Sequence, residues 1–138
     1  MSDPGRLNRV QVVQHSFYGQ STGGTDVLVK FGMDGQVTDT ANTSNPGFPR
    51  AVRALNWWLN SGTLGVNTAG NWTLRLRKNR TSTDIATATW NPTALNDVAY
   101  GSWSTQAILQ PTDQYHVLAD GPSRLFMLIR LILEWEVI

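Results

Sequence analysis

Residues 124–138 read RLFMLIRLILEWEVI, and every odd position from 125 to 137 is apolar: Leu125, Met127, Ile129, Leu131, Leu133, Trp135 and Val137. Apolar side chains repeating at a period of two mark a β-strand with one face in a core. As a helix, the same stretch would be apolar almost all round, with Arg130 stranded among aliphatic neighbours. Its length and that arginine also exclude a membrane span. The even positions, Arg124, Phe126, Leu128, Arg130, Ile132, Glu134, Glu136 and Ile138, mix charge with large apolar groups. A central strand of an antiparallel sandwich ordinarily turns a polar face to water. Two explanations of the apolar even face stay open: cover by a loop of the same chain, or an interface between subunits. In an interface Arg130 would need a neighbour's carboxylate, because a buried unpaired charge costs about 3–5 kcal/mol. Arg124 and Arg130 at one end, with Glu134 and Glu136 at the other, suit self-complementary pairing about a symmetry axis.

Composition extends the β reading to the rest of the chain. Thr, Val, Ile, Trp, Tyr and Phe, which fit a pleated half-buried surface, are abundant, whereas Glu and Lys number two each. Twelve Gly and six Pro supply turns. At 138 residues the chain is long enough to bury a core without staples, and with no cysteine it has none to use. A net charge of +1 lacks the broad cationic field of a nucleic-acid coat, so no nucleic-acid partner is expected. No apolar run of about 18 residues is present, so no membrane association is expected. Met1-Ser2-Asp3-Pro4-Gly5 has no apolar signal-peptide core, and the expectation is a chain kept in the cell that makes it or packed into a particle assembled there.

Residues 1–8 read as an N-terminal arm and residues 9–138 as one domain. Val10 to Tyr18 alternates as a first strand, Gly19 to Asp26 is a loop, and Val27 to Phe31 is a second strand. Gly32 to Pro49 is a long polar excursion, either an exposed lobe or the host of a short edge strand near Val37. Arg50 to Asn60 can be a helix of three turns or a strand, and its adjacent tryptophans and Asn-Ser-Gly exit favour the strand. Strict alternation there places Arg53, Leu55, Trp57 and Leu59 opposite Val52, Ala54, Asn56 and Trp58. Trp72, Leu74 and Leu76 alternate with Thr73, Arg75 and Arg77, and Ile85 to Trp90 returns as the hairpin partner. After a loop to Gly101, Trp103, Thr105, Ala107 and Leu109 read as another strand; Pro111-Thr112-Asp113 turns the chain into Tyr115, Val117 and Ala119. About eight strands with turns between them suit a sandwich or jelly roll.

Catalytic signatures are absent. His15 and His116 fall on different strands with no metal-ligand spacing, no nucleophile elbow occurs, and Gly19 to Gly24 lacks the lysine and helix of a phosphate loop. Neither an enzyme nor a cofactor or metal is expected. Arg75, Arg77, Lys78 and Arg80 form a basic stripe that is either a solvated sheet face or a contact for an acidic partner surface or nucleic acid. Trp57 and Trp58 point to opposite faces, so one lies outside the core, as a partner anchor or a sugar platform; Phe48 is a candidate beside them.

The run Asn71-Trp72-Thr73-Leu74-Arg75-Leu76-Arg77-Lys78-Asn79, followed by Ile85-Ala86-Thr87-Ala88-Thr89, resembles the paired strands of trimeric jelly rolls of the tumour-necrosis-factor and complement-head type. Ser104 to Val117 (STQAILQPTDQYHV) resembles the strand, turn and strand that precede the axis-lining final strand of that family. Cysteine-free versions occur on tailed-phage particles as head decoration (cement) proteins and fibre heads. The resemblance implies an all-β antiparallel jelly-roll sandwich, a homotrimer with Arg124, Phe126, Leu128, Arg130, Ile132 and Glu134 at its interface, and a place on the capsid exterior after synthesis in the host cytoplasm. Arg6, Leu7 and Asn8 would then touch the major capsid protein. The alternative is a receptor- or glycan-binding fibre head using residues 33–49 and an exposed tryptophan.

Overall fold

The computed structural model describes residues 10–20, 27–31, 45–61, 71–79, 81–91, 98–121 and 126–138. The expected arm (Arg6, Leu7, Asn8), the region of Val37, Arg80 and Arg124 lie outside the described residues, as do the side chains of Phe126 and Leu128. Nine strands are described: β1 (Val10–Gln20), β2 (Val27–Phe31), β3 (Val52–Ser61), β4 (Trp72–Lys78), β5 (Asp84–Trp90), β6 (Val98–Ser102), β7 (Ile108–Leu109), β8 (Tyr115–Gly121) and β9 (Phe126–Val137).

They form two sheets, one ordered β1-β9-β3-β6 with β7 beside β3, the other β2-β8-β4-β5, and every ladder is antiparallel. The first four strands run against the later ones in nested order, β1 with β9, β2 with β8, β3 with β6 and β4 with β5, and successive nested pairs alternate between the sheets. A long hairpin rolled on itself in this way is a jelly roll. The expected all-β sandwich is therefore the observed one, with β9 an inner strand between β1 and β3.

Inward side chains of both sheets make the core. Ile129, Leu131, Leu133 and Trp135 of β9 meet Trp72, Leu74 and Leu76 of β4 and Tyr115, Val117 and Ala119 of β8, all buried. Each such aliphatic side chain contributes roughly 1.5–3 kcal/mol on leaving water. One end is an aromatic cluster: Phe48 stacks on Tyr115 with centroids 6.0 Å apart, and Trp135 lies 5.1 Å from Tyr115. His15 Nε2 and Tyr115 Oη, 2.9 Å apart and buried, join β1 of one sheet to β8 of the other.

Two expectations are corrected. Residues 52–61 are a strand, but not a strictly alternating one: the register slips between Ala54 and Asn56, leaving Leu55 as a bulge. One extra residue reverses the facing of the strand beyond it, so Val52, Ala54, Trp57 and Leu59 all point into the core. Residues 103–109 are not a full strand. Ser104 bonds Thr87 of β5 while Ala107 accepts from Ala54 of β3, so the segment passes from one sheet to the other and cannot lie in a single ladder. Trp103, Ala107 and Leu109 are nonetheless buried, and the strand that precedes them is β6, in the stretch read as loop.

Candidate functional site

Residues directly opposite in an antiparallel ladder share a face, so the registers map the outward side of the β1-β9-β3-β6 sheet row by row. Gln14, Ile132, Trp58 and Tyr100 form one row across β1, β9, β3 and β6. On one side of it lie Arg130, Asn60 and Val98, and on the other Val12, Glu134, Asn56 and Ser102. Beyond these come Val10, Glu136, Arg53 and, on β7, Ile108.

Among the described residues the exposed large apolar side chains are Val10, Val12, Val98, Tyr100, Ile108 and Ile138, with Tyr100 at 78% and Val12 at 63%. Five belong to those rows, and Ile138 continues β9 past its end, its N–H donating to Ala51 O. Among the described residues this gathering on one face is the most distinctive surface feature. Singly exposed apolar residues are ordinary, whereas a contiguous set marks a contact. Polar groups within the face hold one another: Ser102 Oγ donates to Asn56 Oδ1 (3.1 Å), and Asn56 Nδ2 donates to Glu134 Oε2 (3.3 Å). Arg53 Nε lies 3.5 Å from Glu136 Oε2, a half-exposed ion pair of small energetic weight.

Of the residues singled out from the sequence, Arg130, Ile132 and Glu134 stand together on this face; Arg130 is exposed and the other two half-buried. Trp58 joins them, half-buried between Ile132 and Tyr100. Trp57 does not. At 5% exposure it packs in the core beneath Gly101, and the bulge at Leu55 is what turned it inward. Phe48 is spent on its stack with Tyr115 and Trp135. Val98, Tyr100 and Ile108 were not singled out, although Val98-Ala99-Tyr100 carries the β-branched and aromatic signal of a strand.

The opposite sheet differs in kind. The described members of the expected basic stripe, Arg75, Arg77 and Lys78, are paired within the chain. Arg77 Nε donates to Asp84 Oδ1 (2.7 Å), Arg75 donates to Asp84 and to Asp120 (3.3 Å), and Lys78 lies 3.6 Å from Asp113. Burial pushes the Asp84 carboxyl upward, but hydrogen bonds and charge from Arg77 and Arg75 outweigh it and hold it below the ordinary carboxylate value. Asp113 is also held low, first by the Asn79 amide and then by Gln110 N–H. Groups paired in this way offer little to an acidic partner. Among the described residues no three His, Asp or Glu side chains are grouped to hold a metal ion.

No family model matches the chain, and no curated protein matches it. Solved structures that the chain matches include the Tobacco streak virus coat protein, at 9% identity and a TM-score of 0.38 over 99% of this chain and 90% of that one. The BFDV capsid protein in its 60-mer form matches at 13% identity and a TM-score of 0.33, covering 94% of each chain. Its decameric form matches at 12% and 0.29, over 94% of this chain and 96% of that one. These neighbours are viral coat and capsid proteins; the jelly-roll assignment itself rests on the order in which the strands pair.

Proposed function

We infer that the chain is a non-catalytic structural protein of a virion, a trimeric decoration protein that sits on the exterior of a phage head and reinforces its shell. The observation that carries this reading is the concentration of exposed apolar side chains on the outward face of the β1-β9-β3-β6 sheet, whereas Arg75, Arg77 and Lys78 on β4 of the other sheet are paired within the chain. A face of this kind suits contact with copies of itself better than it suits a small substrate. In the trimer Ile132, Arg130 and Glu134 meet their counterparts, and Arg130 finds a carboxylate across the interface. The arm with Arg6, Leu7 and Asn8 reaches the major capsid protein. Three arms tied together bind multivalently, so modest contacts per chain give firm attachment through effective concentration. Binding that favours the assembled shell then stabilises it by mass action.

Light scattering of the eluting protein should give three times the chain mass of 15.3 kDa, and Ile132→Asp or Phe126→Asp should abolish that species. The wild-type protein should co-sediment with emptied phage heads and leave a glycan array blank. A well-behaved monomer at every concentration would overturn the trimer. One observation favours the fibre-head alternative: half-buried Trp58 and exposed Tyr100 are direct neighbours on the outward face, an aromatic pair of the kind a sugar platform would use. Glycan binding lost on Tyr100→Ala would establish it in place of the first reading.

A further inference from the structure

The sandwich has four sheet edges among the described strands, β1 and β6 on one sheet, β2 and β5 on the other. An edge strand presents unpaired N–H and C=O groups, and proteins ordinarily protect it by shortness, charge, proline, a bulge or a covering segment. Three of the four edges show such devices. β6 and β2 have five residues each, and β2 carries Lys30. β5 begins at Asp84, its register with β4 slips between Leu76 and Arg77, and its Thr87 is covered by Ser104, which donates to Thr87 O (2.8 Å) and accepts from Thr87 N (2.9 Å).

Among the described residues β1 shows none of them. It runs eleven residues, VQVVQHSFYGQ, without Asp, Glu, Lys, Arg or Pro. Its register with β9 is unbroken from Val10–Glu136 to Gln20–Phe126. Its outward side chains at the N-terminal end, Val10 and Val12, are 49% and 63% exposed.

We propose that β1 is a pairing edge whose occupant is the β1 strand of a second copy of this chain, lying antiparallel to it and joining two sheets into one across a two-fold axis. Three observations select a second copy. Identical edges related by a two-fold axis are antiparallel, the geometry of every ladder in this molecule. A strand with no charged residue brings no like charges together when it meets itself, and it offers a charged foreign strand nothing to pair with. The edge is also continuous with the apolar face, so pairing would cover Val10 and Val12 as well as the backbone. Combined with a three-fold contact on the outward face, a two-fold edge would link trimers into a lattice. The edge pairing stands independently of that contact.

The test uses the full chain and variants in light scattering over a concentration series, with amide exchange of residues 10–20 as a second readout. Gln11 points inward beside Trp135, so Gln11→Lys places an edge-blocking charge without altering the outward face. Gln11→Glu replaces it if the lysine variant does not fold, and Gln11→Thr is the neutral control. Wild type and Gln11→Thr should show growth in mass beyond the trimer and slower exchange in 10–20 as concentration rises, and Gln11→Lys should lose both. Ile132→Asp, which breaks the three-fold face alone, should still form a dimer. Growth beyond the trimer that survives Gln11→Lys, or exchange in 10–20 that is independent of concentration, would overturn the pairing edge and leave the trimer untouched. A wild-type dimer that becomes a monomer on Gln11→Lys would support the edge and sink the trimer.

Discussion

Asn79 shows how much one residue fixes locally. Its φ of 55° lies in the left-handed region, which costs most side chains about 1–2 kcal/mol and which Asn tolerates best after Gly. Its side chain then locks two turns together: Nδ2 donates to Asp113 Oδ1 (2.7 Å), and Oδ1 accepts from Gln114 N (3.0 Å). Asn79→Gly should keep the backbone but lose both bonds, whereas Asn79→Ala loses the bonds and also meets the backbone penalty. Urea denaturation should therefore rank wild type above Asn79→Gly and Asn79→Gly above Asn79→Ala, with about 1 kcal/mol between the two variants. In both, an NMR titration should find the Asp113 carboxyl moved up towards 3.8, since the Asn79 amide is the largest cause of its depression. Equal stability of the two variants would show that the left-handed turn is not what Asn79 supplies. Gly47 supports the same corner, for a Cβ there would overlap the Asp113 carbonyl.

At the scale of elements, the bulge in β3 separates two adjacent tryptophans by role. Trp57 is a core residue against Gly101, and Trp58 lies on the outward face opposite Ile132 and Tyr100. Truncating a buried tryptophan to alanine costs about 3–5 kcal/mol, from lost burial and the cavity left behind. Trp57→Ala should fall in that range, while Trp58→Ala should change monomer stability by about 1 kcal/mol or less and act instead on association. Thermal unfolding at low protein concentration separates the two, and comparable losses would mean that the outward face is packed within one chain. Periodicity gave the right element at 52–61 but the wrong partition of its faces. A bulge depends on how β3 meets β9, not on β3 alone. The sequence 103–109 misled for a related reason: burial alternates there because Trp103, Ala107 and Leu109 point inward, while the backbone bonds go to two different sheets.

At the scale of the molecule, the two sheets are clasped where His15 meets Tyr115. Burial lowers the basicity of the His15 imidazole and raises that of the Tyr115 phenolate, so both stay neutral in the fold near pH 7. The unfolded chain takes up the His15 proton as pH falls through about 6.5, while the folded chain resists until a lower pH. In that window the unfolded state binds more protons, so stability falls as pH falls, then levels off below the folded value. Asp84 and Asp113, held low in the fold, contribute stability that is present above about 3.8 and is lost only at lower pH. Urea titrations should therefore show two separate losses, and His15→Gln should flatten the first while leaving the second. A first loss unchanged in that variant would assign it to another group.

Alternation alone determined that Phe126–Val137 form a strand with Ile129, Leu131, Leu133 and Trp135 inward, and that 72–78 and 84–90 form a hairpin with arginines outward, because a period of two is a property of the chain's own geometry. Tertiary structure alone decided that β9 lies between β1 and β3, that Trp57 turns in and Trp58 out, that Arg75, Arg77 and Lys78 are paired by Asp84, Asp120 and Asp113, and that Val12, Ile132, Trp58 and Tyr100 share one surface. Each of these depends on which strands meet and in what register. That is set by closing the roll, through contacts between residues far apart in the chain.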